Sequence, residues 1–158
     1  MRITLNKSIK EGMKEMCSYP VGTICILDKN AKLHSFNDEP ALGTPNCREK
    51  SWYKHGKVHR IGKPAITFPG GEHWYFNGKL HRLDGPAKKV EDEGREEWWV
   101  NGKLHRIDGP AIQIKDDYEC WYKNGEKHRD GGPAVTYLNM NDSYSGQKEW
   151  WFHGKRHR

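Results

Sequence analysis

The sequence feature that most constrains the fold is an internal repeat of about 23 residues. Each copy begins with Trp followed by Tyr or Trp and continues to Asn-Gly or His-Gly. A His-Arg pair then follows at the same spacing in every copy. The copies start at Trp52, Trp74, Trp98, Trp121 and Trp150. A unit this short cannot bury a hydrophobic core alone, so successive copies must stack to build one.

A degenerate earlier copy occupies residues 24–51. It keeps His34 and the Pro40-Ala41 pair but lacks the leading Trp and the Arg. Tandem repeats therefore cover 24–158, with the copy from Trp150 truncated, and residues 1–23 form an N-terminal cap. Within this cap, Ser8 and Glu11 fit a helix capping box, which predicts a short helix over 8–17. The terminal units of solenoids usually need such a cap.

Each copy is predicted to be β structure. Asn-Gly between two short strands is the strongest local signal for a two-residue hairpin, because its type I′ turn needs positive φ at both residues. In the third copy this turn sets Trp99 opposite Leu104, and 108–110 (Asp-Gly-Pro) predicts a second turn before a further run. We expect two or three short strands per copy and an all-β, single-domain repeat array, either a β-hairpin solenoid or a long twisted meander.

The same hairpin register also predicts an ion pair. Extended outward from the turn, it places Glu97 opposite Arg106, and opposite charges at facing positions of two strands attract. The last copy repeats this arrangement with Glu149 and Arg158.

The composition indicates where the core comes from. Hydrophobic residues make up only 34% of the chain, whereas aromatic residues make up 11%, which is unusual for a disordered chain. We therefore expect a thin core built from large rings. The expected core positions are Trp52, Trp74, Trp98, Trp121, Trp150, Tyr53, Tyr75, Trp99, Tyr122 and Trp151.

The net charge and the absence of targeting signals limit the possible partners and cellular compartment of the protein. The formal net charge is +6 and the pI is about 9.1, which permits binding to phosphates, nucleic acid or an acidic protein. No apolar run reaches the roughly 18 residues of a membrane span, and the N-terminus lacks the apolar stretch of a secretory signal. We therefore predict a cytoplasmic protein with no membrane span. Its four cysteines form no Cys-x-x-Cys pair and are expected to be reduced thiols.

The recurring His-Arg pair supplies the candidate binding residues. They are His59, Arg60, His81, Arg82, His105, Arg106, His128, Arg129, His157 and Arg158. One hypothesis is a periodic anion site, since Arg offers a bidentate fork to phosphate and neutral His offers a donor. The other is a structural ladder that holds the copies together. The aligned histidines lie a full repeat apart, so we expect no metal site, and no cofactor is expected.

The copies resemble MORN-type repeats, which stack as β-hairpins of similar length. The resemblance rests on 74–79 (Trp-Tyr-Phe-Asn-Gly-Lys), 98–103 (Trp-Trp-Val-Asn-Gly-Lys) and 121–125 (Trp-Tyr-Lys-Asn-Gly). It extends to MORN-like repeat proteins of bacteria described as antitoxins, and to arrays in phages and large viruses. It implies stacked hairpins that bind a partner protein or lipid headgroups. Where a usual MORN unit continues with Gly-x-Gly, this chain has His-Arg-x-Asp-Gly-Pro-Ala.

These features favour binding over catalysis. An active site is one asymmetric constellation, whereas the candidate residues here recur in every copy, and no nucleophile elbow, P-loop or dinucleotide motif is present. The first hypothesis is a non-enzymatic interaction scaffold for a host or cognate protein, such as an antitoxin or a phage-encoded inhibitor. The alternative is sequestration of a nucleotide or phosphorylated small ligand by the His-Arg positions. A weaker alternative is nucleic-acid binding along a basic face. A homodimer through the C-terminal edge strand is a further expectation.

Overall fold

A computed structural model describes residues 1–4, 22–43, 48–139 and 144–157. The described residues form strands, turns and bends, and contain no helix. The all-β prediction is therefore confirmed for this part of the chain. The helix predicted over 8–17 lies outside the described residues. Since no helix is described, these ranges contain none that would be long and apolar enough to cross a membrane.

The chain divides into two compact units, Met1–Lys79 and Leu80–Arg158. The strands of the first unit are β1 (Arg2–Thr4), β2 (Ile24–Ile26), β3 (Leu42–Gly43), β4 (Lys50–Ser51), β5 (Tyr53–Lys54), β6 (Lys57–Val58), β7 (Ile66–Phe68), β8 (Gly71–His73) and β9 (Tyr75–Phe76). Strand β10 (Lys79–Leu80) contains the boundary between the units.

The second unit repeats the same succession of short strands. They are β11 (Lys88–Val90), β12 (Arg95–Glu97), β13 (Trp99–Val100), β14 (Lys103–Leu104), β15 (Ile112–Ile114), β16 (Tyr118–Cys120), β17 (Tyr122–Lys123), β18 (Glu126–Lys127), β19 (Val135–Tyr137), β20 (Lys148–Glu149), β21 (Trp151–Phe152) and β22 (Lys155–Arg156).

Two kinds of strand alternate along each unit. Strands of the first kind form antiparallel sheet. Their order is β1-β2-β3-β4-β7-β8 in the first unit and β11-β12-β15-β16-β19-β20 in the second. The remaining pairs, such as β13 with β14, form separate two-stranded hairpins. The copy from Trp98 thus contains four short strands, β13 to β16, and the prediction of two or three is wrong. Each copy adds two strands to the sheet, an advance of about 10 Å.

The hairpin prediction is confirmed in the third copy. Trp99 pairs with Leu104, as the two-residue turn requires. The turn residues Asn101 and Gly102 have φ of 52° and 79°, the positive values that a type I′ turn needs. Asn tolerates this left-handed region better than most residues, and Gly enters it at no steric cost.

The predicted ion pair between Glu97 and Arg106 is wrong. The hairpin register ends at Trp98, whose amide donates to the Ala111 carbonyl oxygen at 2.8 Å, so the chain has already left the hairpin at Glu97. The Glu97 carboxylate is buried and instead accepts from Arg95 Nε at 2.6 Å and from the Trp99 indole at 2.8 Å. The equivalent pair of the last copy involves Arg158, which lies outside the described residues.

Alanine rather than tryptophan occupies the most buried position of the repeat. The alanines of the Pro-Ala pairs have no exposed surface: Ala41, Ala65, Ala87, Ala111 and Ala134. Of the ten rings expected in the core, only Trp52 is buried, at 6% exposure, and the others are half-buried. Large rings often keep an exposed edge, whereas the small methyl group of alanine is easily enclosed.

Backbone hydrogen bonds explain why the alanine position is so enclosed. The Ala111 amide donates to the Cys120 carbonyl oxygen at 2.9 Å, and its carbonyl oxygen accepts from Trp98. The Ala134 amide and carbonyl oxygen make the same pair of bonds, to Glu149 and Trp121. Each alanine therefore joins the last sheet strand of its own copy to the leading tryptophan of that copy.

Candidate functional site

The histidine of each His-Arg pair binds the hairpin turn of the following copy. Its Nδ1 accepts a hydrogen bond from the backbone amide of the first turn residue. The pairs are His59 with Asn77 (3.0 Å), His81 with Asn101 (3.1 Å), His105 with Asn124 (3.1 Å) and His128 with His153 (3.2 Å). An accepting Nδ1 carries no proton, so this geometry selects the neutral ring with its hydrogen on Nε2.

A second hydrogen bond fixes the same turn. The turn glycine donates its amide to the carbonyl oxygen of the residue before the histidine, at 2.8 Å for Gly78 to Val58 and for Gly125 to Leu104. Both amides of each turn are thus satisfied by the preceding copy. Because unpaired amides are costly wherever water is excluded, this double contact sets the stacking register of the copies.

Burial reinforces the neutral state at the first of these histidines. His59 is only 8% exposed. Desolvation lowers its pKa below the usual value, and the positive charge of Lys54 lowers it further. Neutral His59 is therefore the form that accepts the Asn77 amide at physiological pH.

In the four copies from Trp52 to Trp121, the arginine of the pair donates to the carbonyl oxygen of the proline four residues later in its own copy. In the third copy, the Arg106 guanidinium lies 3.9 Å from the centroid of the Trp98 ring. Its Nε donates to Asp108 Oδ1 at 3.1 Å, and its Nη1 donates to the Pro110 carbonyl oxygen at 3.3 Å. Arg129 lies 4.1 Å above Trp121 and donates to the Pro133 carbonyl oxygen at 3.1 Å.

The first and second copies vary this contact in detail. Arg82 donates to Asp84 at 2.9 Å and to the Pro86 carbonyl oxygen at 3.3 Å. Arg60 lies 3.7 Å above Trp52 and reaches back to Asp38 of the degenerate copy, at 2.7 and 2.8 Å. The hydrogen bonds from arginine hold the pKa of the Asp38 and Asp84 carboxyl groups below their usual range.

The Asp-Gly-Pro turn is shaped to receive the arginine. A Cβ at Gly109 would lie 2.6 Å from Arg106 Cζ, and one at Gly85 would lie 2.9 Å from Arg82 Cζ. Real Cβ atoms do not approach other atoms this closely, so a side chain at either glycine would displace the guanidinium from its place against the turn. The sequence predicts only a turn at Asp-Gly-Pro. Its recurrence two residues after Arg82 and Arg106 was the available sign of a contact.

These contacts bring together the predicted His-Arg residues of the described copies as a structural ladder. The ladder comprises His59, Arg60, His81, Arg82, His105, Arg106, His128 and Arg129. His157 is exposed, and Arg158 lies outside the described residues. The ladder gives the ring nitrogens and guanidinium groups a structural role, and their predicted role in binding a ligand stays a prediction.

A row of exposed aliphatic side chains directly follows the His-Arg pairs. Ile61, Leu83 and Ile107 are 76%, 81% and 83% exposed. The fourth copy has Asp130 at this position. This aliphatic row was not predicted from the sequence. Its signal was an apolar residue at one fixed repeat position inside an otherwise polar turn.

In the second unit, the aliphatic row borders a pocket. Leu83 and Ile107 line a cavity of about 640 Å³ together with Trp98 and Val100. Arg82 and Arg106 also line it, each paired with the aspartate of its own turn. The surface around the pocket is therefore apolar at the row and electrically balanced at its rim.

Comparisons with protein-family models, curated proteins and solved structures find no match in any of the three. The resemblance to MORN-type repeats accordingly stays a prediction.

Proposed function

We propose that this protein is a non-enzymatic repeat scaffold that binds a partner protein through the aliphatic row. The observation that carries the proposal is the exposure of Leu83 and Ile107, both above 80%, beside a pocket of about 640 Å³. Burying a fully exposed Leu or Ile side chain contributes roughly 1.5–3 kcal/mol. Exposed apolar surface that recurs at one position and is rimmed by polar residues is typical of interaction sites.

The charge around the row supports a protein partner over a phosphate ligand. Arg82 and Arg106 already donate to Asp84 and Asp108. A phosphate at either guanidinium would meet the negative charge of that aspartate, whereas a mixed apolar and polar protein surface meets no such repulsion. The resemblance to MORN-like antitoxins and phage arrays adds a class of partner, a toxin or a host enzyme that the scaffold inhibits.

Affinity capture with chemical crosslinking tests the proposal. Capture by the wild-type protein is compared with capture by the double variant Leu83→Ser/Ile107→Ser. The matched control is Leu138→Ser, because Leu138 is also an exposed leucine, at 40%, but lies outside the row. We expect one protein that wild type and the control retain equally and that the double variant loses at least tenfold.

Other results would contradict the proposal or favour one of the alternative functions. Equal capture by all three proteins would contradict binding through the row. A nucleotide-sized mass excess in native mass spectra, lost in Arg106→Ala, would favour the phosphate-ligand alternative. Binding that falls steeply with salt would favour nucleic acid.

A further inference from the structure

A cluster of potential metal ligands lies in the first unit. Asp28, His34 and His55 each place one ligand atom within 4.8 Å of the other two. His55 Nδ1 lies 2.7 Å from Asp28 Oδ2, and the rings of His34 and His55 have centroids 4.4 Å apart. Two imidazoles and one carboxylate are a ligand set used for zinc and related ions.

The carboxylate of this cluster is fixed by the backbone around it. Asp28 Oδ1 accepts the amides of Asn30 at 2.8 Å and Lys32 at 3.0 Å. The Asp28 side chain is only 6% exposed. Its other oxygen, Oδ2, lies 2.7 Å from His55 Nδ1. The two amides hold Oδ1 in place and leave Oδ2 facing the histidines. Outer-shell hydrogen bonds orient ligand carboxylates at metal sites in the same way.

The stacking of copies explains how His34 and His55 meet. His34 aligns with the ladder histidines, and its Nδ1 accepts the backbone amide of His55 at 3.2 Å. His55 is the first residue of its hairpin turn, where the next three copies carry Asn77, Asn101 and Asn124. Asparagine serves that turn in those copies, so the fold does not need the imidazole of His55.

The last described hairpin offers an internal comparison. It also has a turn histidine, His153, whose ring lies 4.5 Å from that of His128. Its nearest carboxylate, Glu126, is 4.0 Å from His153 Nδ1 and is 59% exposed. The last hairpin therefore has the histidine pair but lacks the anchored carboxylate of the first.

We propose that Asp28, His34 and His55 bind one divalent transition-metal ion of the Zn²⁺ class. Ligand bonds of about 2.0–2.2 Å require the three donor atoms to draw closer together than they are. The His55 side chain is 61% exposed and has room to move. Three protein ligands leave a tetrahedral ion one position for water or an outside ligand.

Cobalt absorption and zinc calorimetry on the untagged full chain test the site. The test variant is His55→Asn, which the asparagines of the neighbouring turns show to be compatible with the fold. The matched control is His153→Asn. We expect wild type and the control to bind one ion per chain with the same affinity, and His55→Asn to bind at least tenfold more weakly. Zn²⁺ should raise the melting temperature of the first two proteins only.

Asp28→Asn separates metal binding from the structural role of the turn. The asparagine keeps an oxygen for the Asn30 and Lys32 amides but removes the negative charge. We therefore expect metal affinity to fall as in His55→Asn, while the circular dichroism spectrum, which reports the fold, stays unchanged. Unchanged affinity in His55→Asn would overturn the proposal, as would an equal loss in His153→Asn or absence of binding to wild type. A cysteine-to-cobalt charge-transfer band would place the ion on sulfur and overturn it as well.

Discussion

Arg106 and Ile107 follow one another in the chain but lie in opposite surroundings. Arg106 is packed on Trp98 and hydrogen-bonded to the Asp-Gly-Pro turn, whereas Ile107 is 83% exposed. The same contrast separates Arg82 from Leu83. The structural ladder and the aliphatic row thus run side by side, one residue apart in every copy that has both.

This contrast shows that recurrence within a repeat has more than one cause. A residue that recurs in the ladder is explained by contacts inside the chain. A residue that recurs in the aliphatic row has no comparable contact and leaves apolar surface in water, which is unfavourable unless something else covers it. Substitutions in the ladder should therefore change stability, and substitutions in the row should change binding.

The largest loss of stability is expected from overpacking beside the ladder. Ala111 has no exposed surface, so Ala111→Leu has no space for its added carbons. We expect unfolding in urea to show a loss of about 3 kcal/mol. Ile107→Ala, four residues earlier but in the aliphatic row, is the control and should stay within about 0.5 kcal/mol of wild type. Similar losses in the two variants would remove the contrast.

The next largest effect tests the arginine contact. Gly109→Ala places a Cβ against the Arg106 guanidinium, so this side chain must shift and lose its hydrogen bonds to the turn, at a cost of about 1–1.5 kcal/mol. In an Arg106→Ala background the same change should cost much less, giving a coupling energy in a double-mutant cycle. Gly43→Ala is the control, since a Cβ there meets nothing within 4 Å. Additive effects of the two substitutions would show that the guanidinium does not occupy this space.

A smaller loss is expected from removing one histidine acceptor. His105→Ala leaves the Asn124 amide without its partner at an exposed turn, where water partly replaces it. The expected loss is about 1 kcal/mol in urea unfolding. Amide hydrogen exchange at Asn124 should accelerate while that at Asn101, bound by His81, should not. Equal acceleration at both amides would indicate general loosening instead of a single lost contact.

Acid should weaken the ladder at His59. Its folded-state pKa lies below the usual value, so the unfolded chain takes up the proton first as the pH falls. The contribution of His59 to the free energy of unfolding is fully present above the pKa of the unfolded chain, about 6.5. It is lost as the pH falls through the pKa of the folded state. His59→Gln should flatten the dependence of the unfolding free energy on pH between 7 and 5. An unchanged slope would assign that dependence to other groups.

The least effect on stability is expected in the aliphatic row itself. Ile107→Ser should change the free energy of unfolding by no more than about 0.5 kcal/mol, because the side chain is already in water. The same variant should weaken capture of the partner protein. A loss of stability comparable to that of His105→Ala would show that the row is structural too.

Local rules predicted the hairpins and failed where the chain leaves them. Asn101-Gly102 fixed the turn and the pairing of Trp99 with Leu104. Extending that register outward gave the wrong partner for Glu97, because the Trp98 amide turns to Ala111. That hydrogen bond links the start of the hairpin to a later residue of the same copy, and the spacing of the hairpin residues does not predict it.

Side-chain size and repeat alignment do not predict two other features of the structure. Size assigns the core to the largest apolar side chains, whereas the residues without exposed surface include alanines such as Ala111, whose amide and carbonyl oxygen are both hydrogen-bonded. Aligned histidines lie a repeat apart, which argued against metal binding. The stacking instead brings His34 beside the turn residue His55, a position that alignment assigns to a different part of the repeat.

The state of the ladder histidines tests the central claim most directly. Long-range proton–nitrogen NMR spectra at neutral pH distinguish the protonated ring nitrogen from the accepting one. The structure predicts that His59, His81 and His105 are neutral with the hydrogen on Nε2, and that Leu83→Ser/Ile107→Ser leaves these spectra unchanged. Histidines that are charged, or that carry the hydrogen on Nδ1, would contradict a ladder held together by these rings.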